Sequence, residues 1–135
     1  LSVGLARGCL EESLDYARQR QAFGKPLAEH QAIAVMLADM ATEIDAARLL
    51  VWDAAQSLDR GEHFPEKASI AKLFASEMAT RAGLNAIQVF GGYGYTKEVP
   101  VERLMRDAKL CEIGEGSSQI QRILIARHLL NQYAA

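Results

Sequence analysis

The chain has 135 residues, half of them hydrophobic, and a formal net charge of −2 from 15 basic and 17 acidic residues. This length suits one domain with a real core, and the apolar content with only three prolines argues against disorder. No basic run stands out and no stretch is long and apolar enough to span a bilayer, so nucleic-acid binding and membrane attachment are not expected.

The two cysteines, Cys9 and Cys111, lie far apart in a chain without a secretory signature. Such thiols are expected to be reduced and packed rather than bridged. We therefore expect a cytoplasmic protein, or one of the mitochondrial matrix in a eukaryote, and not a secreted one.

The first half of the chain predicts two helices. Apolar residues recur at helical spacing from Ser2 to about Gln21, and the breakers in Phe23–Pro26 end that helix. A sustained apolar seam with three- and four-residue steps predicts a second helix from about Glu29 to Leu58. Because the connection is short, the two helices are expected to run antiparallel.

The second half predicts two long helices and a short one. A third helix begins near Pro65 and ends at Gly91, and its alanine stripe favours a central position or an interface. A short helix is expected from Val101 to about Asp107, and a last helix from about Ser118 to Gln132. With no strand-like alternation or hairpin turn, we predict one all-α domain over residues 1–135. Its predicted architecture is an antiparallel up-down four-helix bundle with one extra short helix.

One carboxylate has an unusual setting. Glu115 lies between Gly114 and Gly116 just before the last helix, where Ser118 and Gln121 fit a capping box. The flanking glycines would let another molecule approach closely, and a lone carboxylate can act as a base when apolar neighbours raise its pKa. A solvated glutamate at a glycine-rich helix start explains the same spacing, and the spacing alone favours that interpretation.

Other chemistries have no support. His30, His63 and His128 lack ligand-type partners at helical spacing and the cysteines form no close pair, so no metal site is expected. The serines have no nucleophile motif, and Gly91–Gly94 follows a helix rather than a strand, so it is not a dinucleotide fingerprint.

Four motifs stand at consistent intervals along the chain. They are R-x-x-F-G at Arg20–Gly24, Q-x-x-G-G-x-G-Y at Gln88–Tyr95, R-D-A-K at Arg106–Lys109 and E-G-S-S-Q-I-Q-R at Glu115–Arg122. In this order they resemble the C-terminal helical domain of the acyl-CoA dehydrogenase family, over essentially all 135 residues. The resemblance reverses the interpretation of Glu115.

The family oxidises acyl-CoA thioesters to trans-2-enoyl-CoA with FAD. The resemblance implies that Glu115 is the base that removes the pro-R α-proton while hydride leaves the β-carbon for the flavin. It places Gly114 and Gly116 against the acyl-CoA. It also implies FAD contacts, partly across a subunit boundary, from Arg20, Phe23, Gln31, Gln88, Gly91, Gly92, Ser117, Ser118 and Gln119.

Two positions depart from the family pattern. Gly114 replaces the tyrosine that often precedes the base, which should open space near the thioester, as in members that accept branched acyl chains. We therefore expect tolerance of branched or bulky substrates. Ser117 replaces the more usual threonine and keeps the hydroxyl group.

The family fold also has an N-terminal helical domain and a middle β-domain, and neither is present in these residues. The chain is therefore expected to be a fragment without activity of its own, from a parent that assembles as a dimer or tetramer. The parent is expected to pass its electrons to an electron-transfer flavoprotein or to another electron acceptor. An acyl-CoA oxidase shares the same proton abstraction and is an alternative. A non-catalytic helical assembly module is a second alternative, and the presence of Glu115 argues against it.

Overall fold

The computed structural model describes residues 1–132, and most of them are helical. The chain forms five α-helices, which are α1 (Ser2–Gln19), α2 (Gln31–Asp59), α3 (Pro65–Phe90), α4 (Val101–Ile113) and α5 (Ser118–Gln132). The predicted all-α fold is confirmed. No helix in the described range is long and apolar enough to cross a membrane.

Helix α3 is the centre of the fold, because it packs against each of the other four helices. Its buried face consists largely of alanines, namely Ala71, Ala75, Ala79, Ala82 and Ala86. Small side chains let neighbouring helix axes approach closely, so the alanine stripe determines which helix can occupy the centre. The prediction of a central third helix is confirmed.

Larger side chains fill the space around this stripe. Met40 and Ile44 of α2 meet Met78 of α3 in the main core, together with Cys9 of α1. The buried methionines act as adaptable core residues. Burial raises the pKa of the Cys9 thiol to about 11, so this cysteine is a packing residue rather than a nucleophile. Both cysteines are free.

The predicted absence of a hairpin is wrong. Strands β1 (Gln21–Ala22) and β2 (Lys25–Pro26) pair antiparallel, and Phe23 and Gly24 form the turn with φ values of 52° and 82°. Two positive φ values match the twist of a tight two-residue hairpin. Strands of two residues are too short to produce a visible alternation in the sequence.

Some helix boundaries also differ from the prediction. Helix α1 ends two residues early because the hairpin begins at Gln21, and a 3₁₀ turn at Leu27–Glu29 delays the start of α2 to Gln31. Helix α4 continues beyond Asp107 to Ile113, since the sequence offers no breaker before Gly114. A second 3₁₀ turn at Gly91–Tyr95 follows α3.

Candidate active site

The base loop, which we define as Gly114–Ser117, connects α4 to α5. Glu115 and Gly116 both adopt left-handed backbone conformations, with φ values of 55° and 94°. This conformation is unfavourable for a residue with a β-carbon and costs about 1–2 kcal/mol. A strained residue of this kind persists only when its surroundings fix it, and such residues cluster at functional sites.

Gly116 is required by the fold itself. A β-carbon at this position would lie 2.7 Å from Nε2 of Gln121, and its φ lies in the left-handed region. Gly114 differs, because its φ of −68° and ψ of 151° suit any residue. Within the described part of the chain, a β-carbon on Gly114 would meet one atom within 4 Å, the carbonyl oxygen of Leu110 at 3.3 Å.

The predicted capping box, with Ser118 as the capping residue, is wrong, because the cap lies one residue earlier in the chain. Helix α5 begins at Ser118, so Ser117 is the capping residue, and its hydroxyl accepts from the N–H of Ile120 at 3.5 Å. Two successive left-handed residues, Glu115 and Gly116, lengthen the loop and shift the cap. The Gln121 amide does reach back, but it donates to the Gly116 carbonyl oxygen at 3.3 Å.

Ion pairs hold the helices that flank the base loop. Arg122 of α5 lies 2.7 Å from the carboxylate of Glu77 on α3, and this partner lowers the pKa of Glu77. Lys109 pairs with Glu112 at 2.6 Å in the last turns of α4. The Arg122–Glu77 pair therefore fixes the start of α5 on the central helix.

Glu115 and Gly114 line a cleft of about 600 Å³ between α3 and its neighbours, which we call the base cleft. Most of its wall is apolar and includes Ala71, Ala75 and Leu110. Glu115 itself is exposed. The arrangement therefore presents a carboxylate at the edge of an apolar cleft, where it could accept a proton from a C–H group of a bound ligand.

Three of the predicted cofactor residues meet in a second cleft of about 620 Å³, which we call the glycine cleft. Arg20 lies there with Gly91 and Gly92, beside Tyr16 and Phe90, whose rings stack with centroids 4.1 Å apart. Within residues 1–132, Arg20 makes no ion pair. An unpaired guanidinium beside bare backbone suits an anionic group such as a phosphate.

The two glycines in this cleft differ in what the fold demands of them. Gly91 has a φ of 63°, which disfavours any side chain. Gly92 has no left-handed φ, and among the residues that the structure describes a β-carbon there would have no neighbour within 4 Å. Packing within residues 1–132 therefore does not require a glycine at position 92, which is consistent with space for a bound ligand.

The remaining predicted cofactor residues line neither cleft. Phe23 is 97 % exposed at the tip of the hairpin, which is unusual for a large apolar ring. Gln31, Gln88 and Gln119 are exposed at helix ends. Ser118 is only 4 % exposed and its hydroxyl makes no hydrogen bond in the described chain, so this hydroxyl is not presented to a ligand.

The base cleft and the glycine cleft share no lining residue. One copy of the chain therefore does not bring Glu115 and Arg20 into a single cavity. Among the described residues no group of three His, Cys, Asp or Glu side chains could hold a metal ion.

Sequence reasoning missed two residues of these clefts. Lys72 lines the base cleft and donates to the Gly116 carbonyl oxygen at 2.6 Å. Its only sequence signal is a charge beside the alanine stripe of α3. Tyr16 forms a wall of the glycine cleft, but at helical spacing it reads as an ordinary partly buried aromatic residue.

The comparisons with known proteins all point to one family. The family model "Acyl-CoA dehydrogenase, C-terminal domain" matches residues 1–130. The chain is 58 % identical to the Bacillus subtilis "Probable acyl-CoA dehydrogenase YngJ", over 96 % of this chain and 34 % of that protein. It thus spans about one third of the length of the curated relatives it matches.

Solved structures agree. The butyryl-CoA dehydrogenase of Megasphaera elsdenii superposes with a TM-score of 0.94 at 45 % identity, over 96 % of this chain and 34 % of that one. The FAD complex of PigA superposes with a TM-score of 0.91 at 34 % identity, over 95 % and 33 % of the two chains. The chain belongs to the acyl-CoA dehydrogenase family, whose cofactor is FAD, and corresponds to its C-terminal helical domain.

Proposed function

We propose that this chain supplies the catalytic base and part of the FAD site of an acyl-CoA dehydrogenase that converts acyl-CoA into trans-2-enoyl-CoA. The observation that carries the proposal is the position of Glu115. It combines a strained left-handed backbone, a place at the edge of an apolar cleft and the E-G-S-S-Q-I-Q-R sequence, which matches the family's motif except at Ser117.

In the proposed reaction the Glu115 carboxylate removes the pro-R α-proton of the acyl-CoA. A carboxylate in bulk water is too weak a base for this proton. When a substrate fills the base cleft, the apolar walls formed by Ala71, Ala75 and Leu110 exclude water from the carboxylate and the reacting C–H group. Bound FAD supplies a hydride acceptor for the β-carbon.

The residues of the glycine cleft fit the anionic pyrophosphate of FAD. Arg20 offers an unpaired cation, and Gly92 leaves its backbone open to close approach. In the proposal, Gly91 also lies beside the pyrophosphate. Phe23, Gln31 and Gln88 contact the cofactor from the surrounding exposed surface. Ser117, Ser118 and Gln119 contact the cofactor at the start of α5 through backbone N–H groups, which attract negative charge, and not through the buried Ser118 hydroxyl.

Because the two clefts are separate, we propose that one FAD is held by the base cleft of one copy and the glycine cleft of another. This arrangement requires a homodimer or a tetramer. Exposed apolar side chains on the helices provide surface for such contacts, namely Leu49, Trp52, Leu84, Ile120, Ile123 and Leu130. In the same arrangement, the other copy provides a contact for the exposed Phe23 ring.

Gly114 and Gly116 are proposed to lie against the acyl-CoA. Gly114 lines the base cleft and leaves open the volume that a tyrosine would fill. We therefore propose that branched or bulky acyl chains are accepted.

The proposal concerns the full protein that carries this chain, in a cytoplasmic or mitochondrial-matrix setting. The isolated chain holds neither a complete flavin site nor a complete substrate pocket, so it is proposed to be inactive. Electrons leave to an electron-transfer flavoprotein or another acceptor. An acyl-CoA oxidase, which passes electrons to oxygen, is the alternative that uses the same residues.

Anaerobic mixing of the FAD-loaded full protein with acyl-CoA tests the proposal. We expect the flavin absorbance to bleach and a product two hydrogens lighter than the substrate to form. An oxidase would give the same bleaching, followed by rapid reoxidation when air is admitted. A protein that binds FAD and acyl-CoA but neither bleaches nor forms enoyl-CoA would be a non-catalytic module, and the proposal would be wrong.

A further inference from the structure

Lys72 makes a contact that the reaction described above does not use. Its Nζ atom donates to the carbonyl oxygen of Gly116 at 2.6 Å, between residues 44 positions apart in the chain. Lys72 is half-buried on α3, and within residues 1–132 it forms no ion pair with a carboxylate. A half-buried ammonium group directed at a neutral backbone carbonyl calls for an explanation.

The contact is one of three that bracket Glu115. On the N-terminal side, the Gly114 N–H donates to the Leu110 carbonyl oxygen of α4 at 2.8 Å. On the C-terminal side, the Gly116 carbonyl oxygen accepts from Lys72 of α3 and from Gln121 of α5. Three helices thus hold the Ile113–Gly114 and Gly116–Ser117 peptide groups, each one residue away from the strained Glu115.

The Lys72 bond is the stronger of the two on the C-terminal side. It is shorter, at 2.6 Å against 3.3 Å for Gln121, and its donor is charged. Charge-assisted hydrogen bonds are about twice as strong as neutral ones. Without Lys72, the Gly116 carbonyl would keep only the longer bond, and the glycine backbone would be free to rotate away from its left-handed conformation.

We propose that Lys72 is a positioning residue that fixes the base loop so that the Glu115 carboxylate meets the α-carbon of the substrate. The inference rests on the function proposed for Glu115. Lys72 does not exchange a proton with the substrate, because its ammonium group acts as a donor to the loop. It acts through geometry, and misplacing a reacting group by about 1 Å can cost a factor of 10² in rate.

Proton abstraction can be measured apart from hydride transfer. An acyl-CoA such as 3,3-dimethylbutanoyl-CoA has α-protons but no β-hydrogen, so its exchange of α-hydrogen for deuterium in D₂O reports the base alone. In the FAD-loaded full protein we expect Lys72→Met to lower the maximal exchange rate about 10–100-fold, with little change in KM. Lys72→Arg, which keeps a cationic donor, should recover most of that loss.

Lys67→Met is the matched control. Lys67 also lies on α3, and its ammonium group donates to Asp53 and Ser57 of α2, at 3.0 Å each. Its removal costs stability without touching the base loop, so the exchange rate should stay at the wild-type value. An equal loss in Lys67→Met and Lys72→Met would show a general structural effect and overturn the inference.

Loop order gives a readout that does not depend on activity. Amide hydrogen exchange of the segment 112–121, followed by mass spectrometry, should be about tenfold faster or more in Lys72→Met while segments of α3 remain protected. If Lys72→Met does not fold, Gln121→Met removes the other donor and should give a smaller change in the same direction. Unchanged loop exchange in the folded variants would overturn the inference.

Glu115→Gln separates the two proposals. If it abolishes α-hydrogen exchange while Lys72→Met exchanges at the wild-type rate, the positioning role is wrong and the base is right. If Glu115→Gln exchanges normally, Glu115 is not the base, and both proposals are wrong.

Discussion

Gly83 of α3 lies against the backbone of Met105 of α4, so closely that a β-carbon on Gly83 would be 2.8 Å from the Met105 Cα. This contact joins the central helix to the helix that leads into the base loop. Because the obstacle is backbone, it cannot move aside as a flexible side chain would. The separation between α3 and α4 therefore depends on the absence of a side chain at position 83.

We expect Gly83→Ala to destabilise the fold despite the better helix propensity of alanine. Overpacking of this kind costs about 1–3 kcal/mol, which exceeds the gain of about 0.5–1 kcal/mol for replacing a helical glycine. Urea unfolding measures the change. Gly4→Ala is the control and should gain stability, because Gly4 is exposed on α1 and a β-carbon there would have no neighbour within 4 Å in residues 1–132. Equal stabilisation by both substitutions would contradict the close approach.

Stability should fall in acid, in part through Glu62. Two hydrogen bonds from Arg60, at 2.6 and 2.9 Å, lower the pKa of Glu62 from 4.5 to about 2. The unfolded chain then binds a proton as the pH drops through 4.5, while the folded chain binds it only near 2. The contribution is therefore complete above 4.5 and is lost as the pH falls toward 2.

The measurement is the slope of the unfolding free energy between pH about 5 and about 3. Glu62→Gln and Arg60→Gln should each flatten that slope by a similar amount, because each removes one member of the pair. A slope that neither substitution changes would show that the pair does not form in solution.

Gly92→Ala should separate cofactor binding from folding. Since the new β-carbon meets no atom of residues 1–132 within 4 Å, we expect the unfolding free energy to change by less than about 0.5 kcal/mol. The same methyl group would stand between FAD and the backbone, so FAD affinity in the full protein should fall, as followed by flavin fluorescence.

Gly94→Ala is the matched control two residues away. There a β-carbon would lie 2.7 Å from Cβ of Phe90 and 2.9 Å from the Ile87 carbonyl oxygen, so the fold itself should be destabilised. If Gly92→Ala binds FAD as tightly as the wild type, the glycine cleft does not approach the cofactor at this position.

Gly114→Tyr should narrow the substrate range. The backbone at this position accepts any residue, and the ring would enter the base cleft next to Glu115. We expect kcat/KM for a branched acyl-CoA to fall about tenfold or more relative to a straight-chain one. Equal turnover of both substrate types by the variant would contradict the proposed role of Gly114.

The helices could be predicted because apolar spacing and breakers act locally. Pro65 at the start of α3 and Gly61 after α2 determine chain direction within a few residues, and both boundaries agree with the prediction. The hairpin at Gln21–Pro26 could not be predicted, since it depends on two positive φ values, one of them at Phe23. Nothing in the side chain of a phenylalanine indicates that conformation.

The candidate site was only partly predictable for a similar reason. The motifs identified Glu115, and the glycines around it showed where the backbone turns. The link from Lys72 to Gly116 joins distant parts of the chain, so no local pattern reveals it. The burial of the Ser118 hydroxyl likewise follows from how α5 packs and not from the sequence around it.

The most direct test of this account is the rate of FAD reduction by acyl-CoA in Glu115→Gln, measured in a single turnover of the full protein. Glutamine keeps the size of the side chain and removes the base, and Glu115 is exposed, so folding and FAD binding should persist. We predict that reduction slows by about 10²–10⁴ at unchanged FAD affinity. Reduction at the wild-type rate would show that Glu115 is not the base.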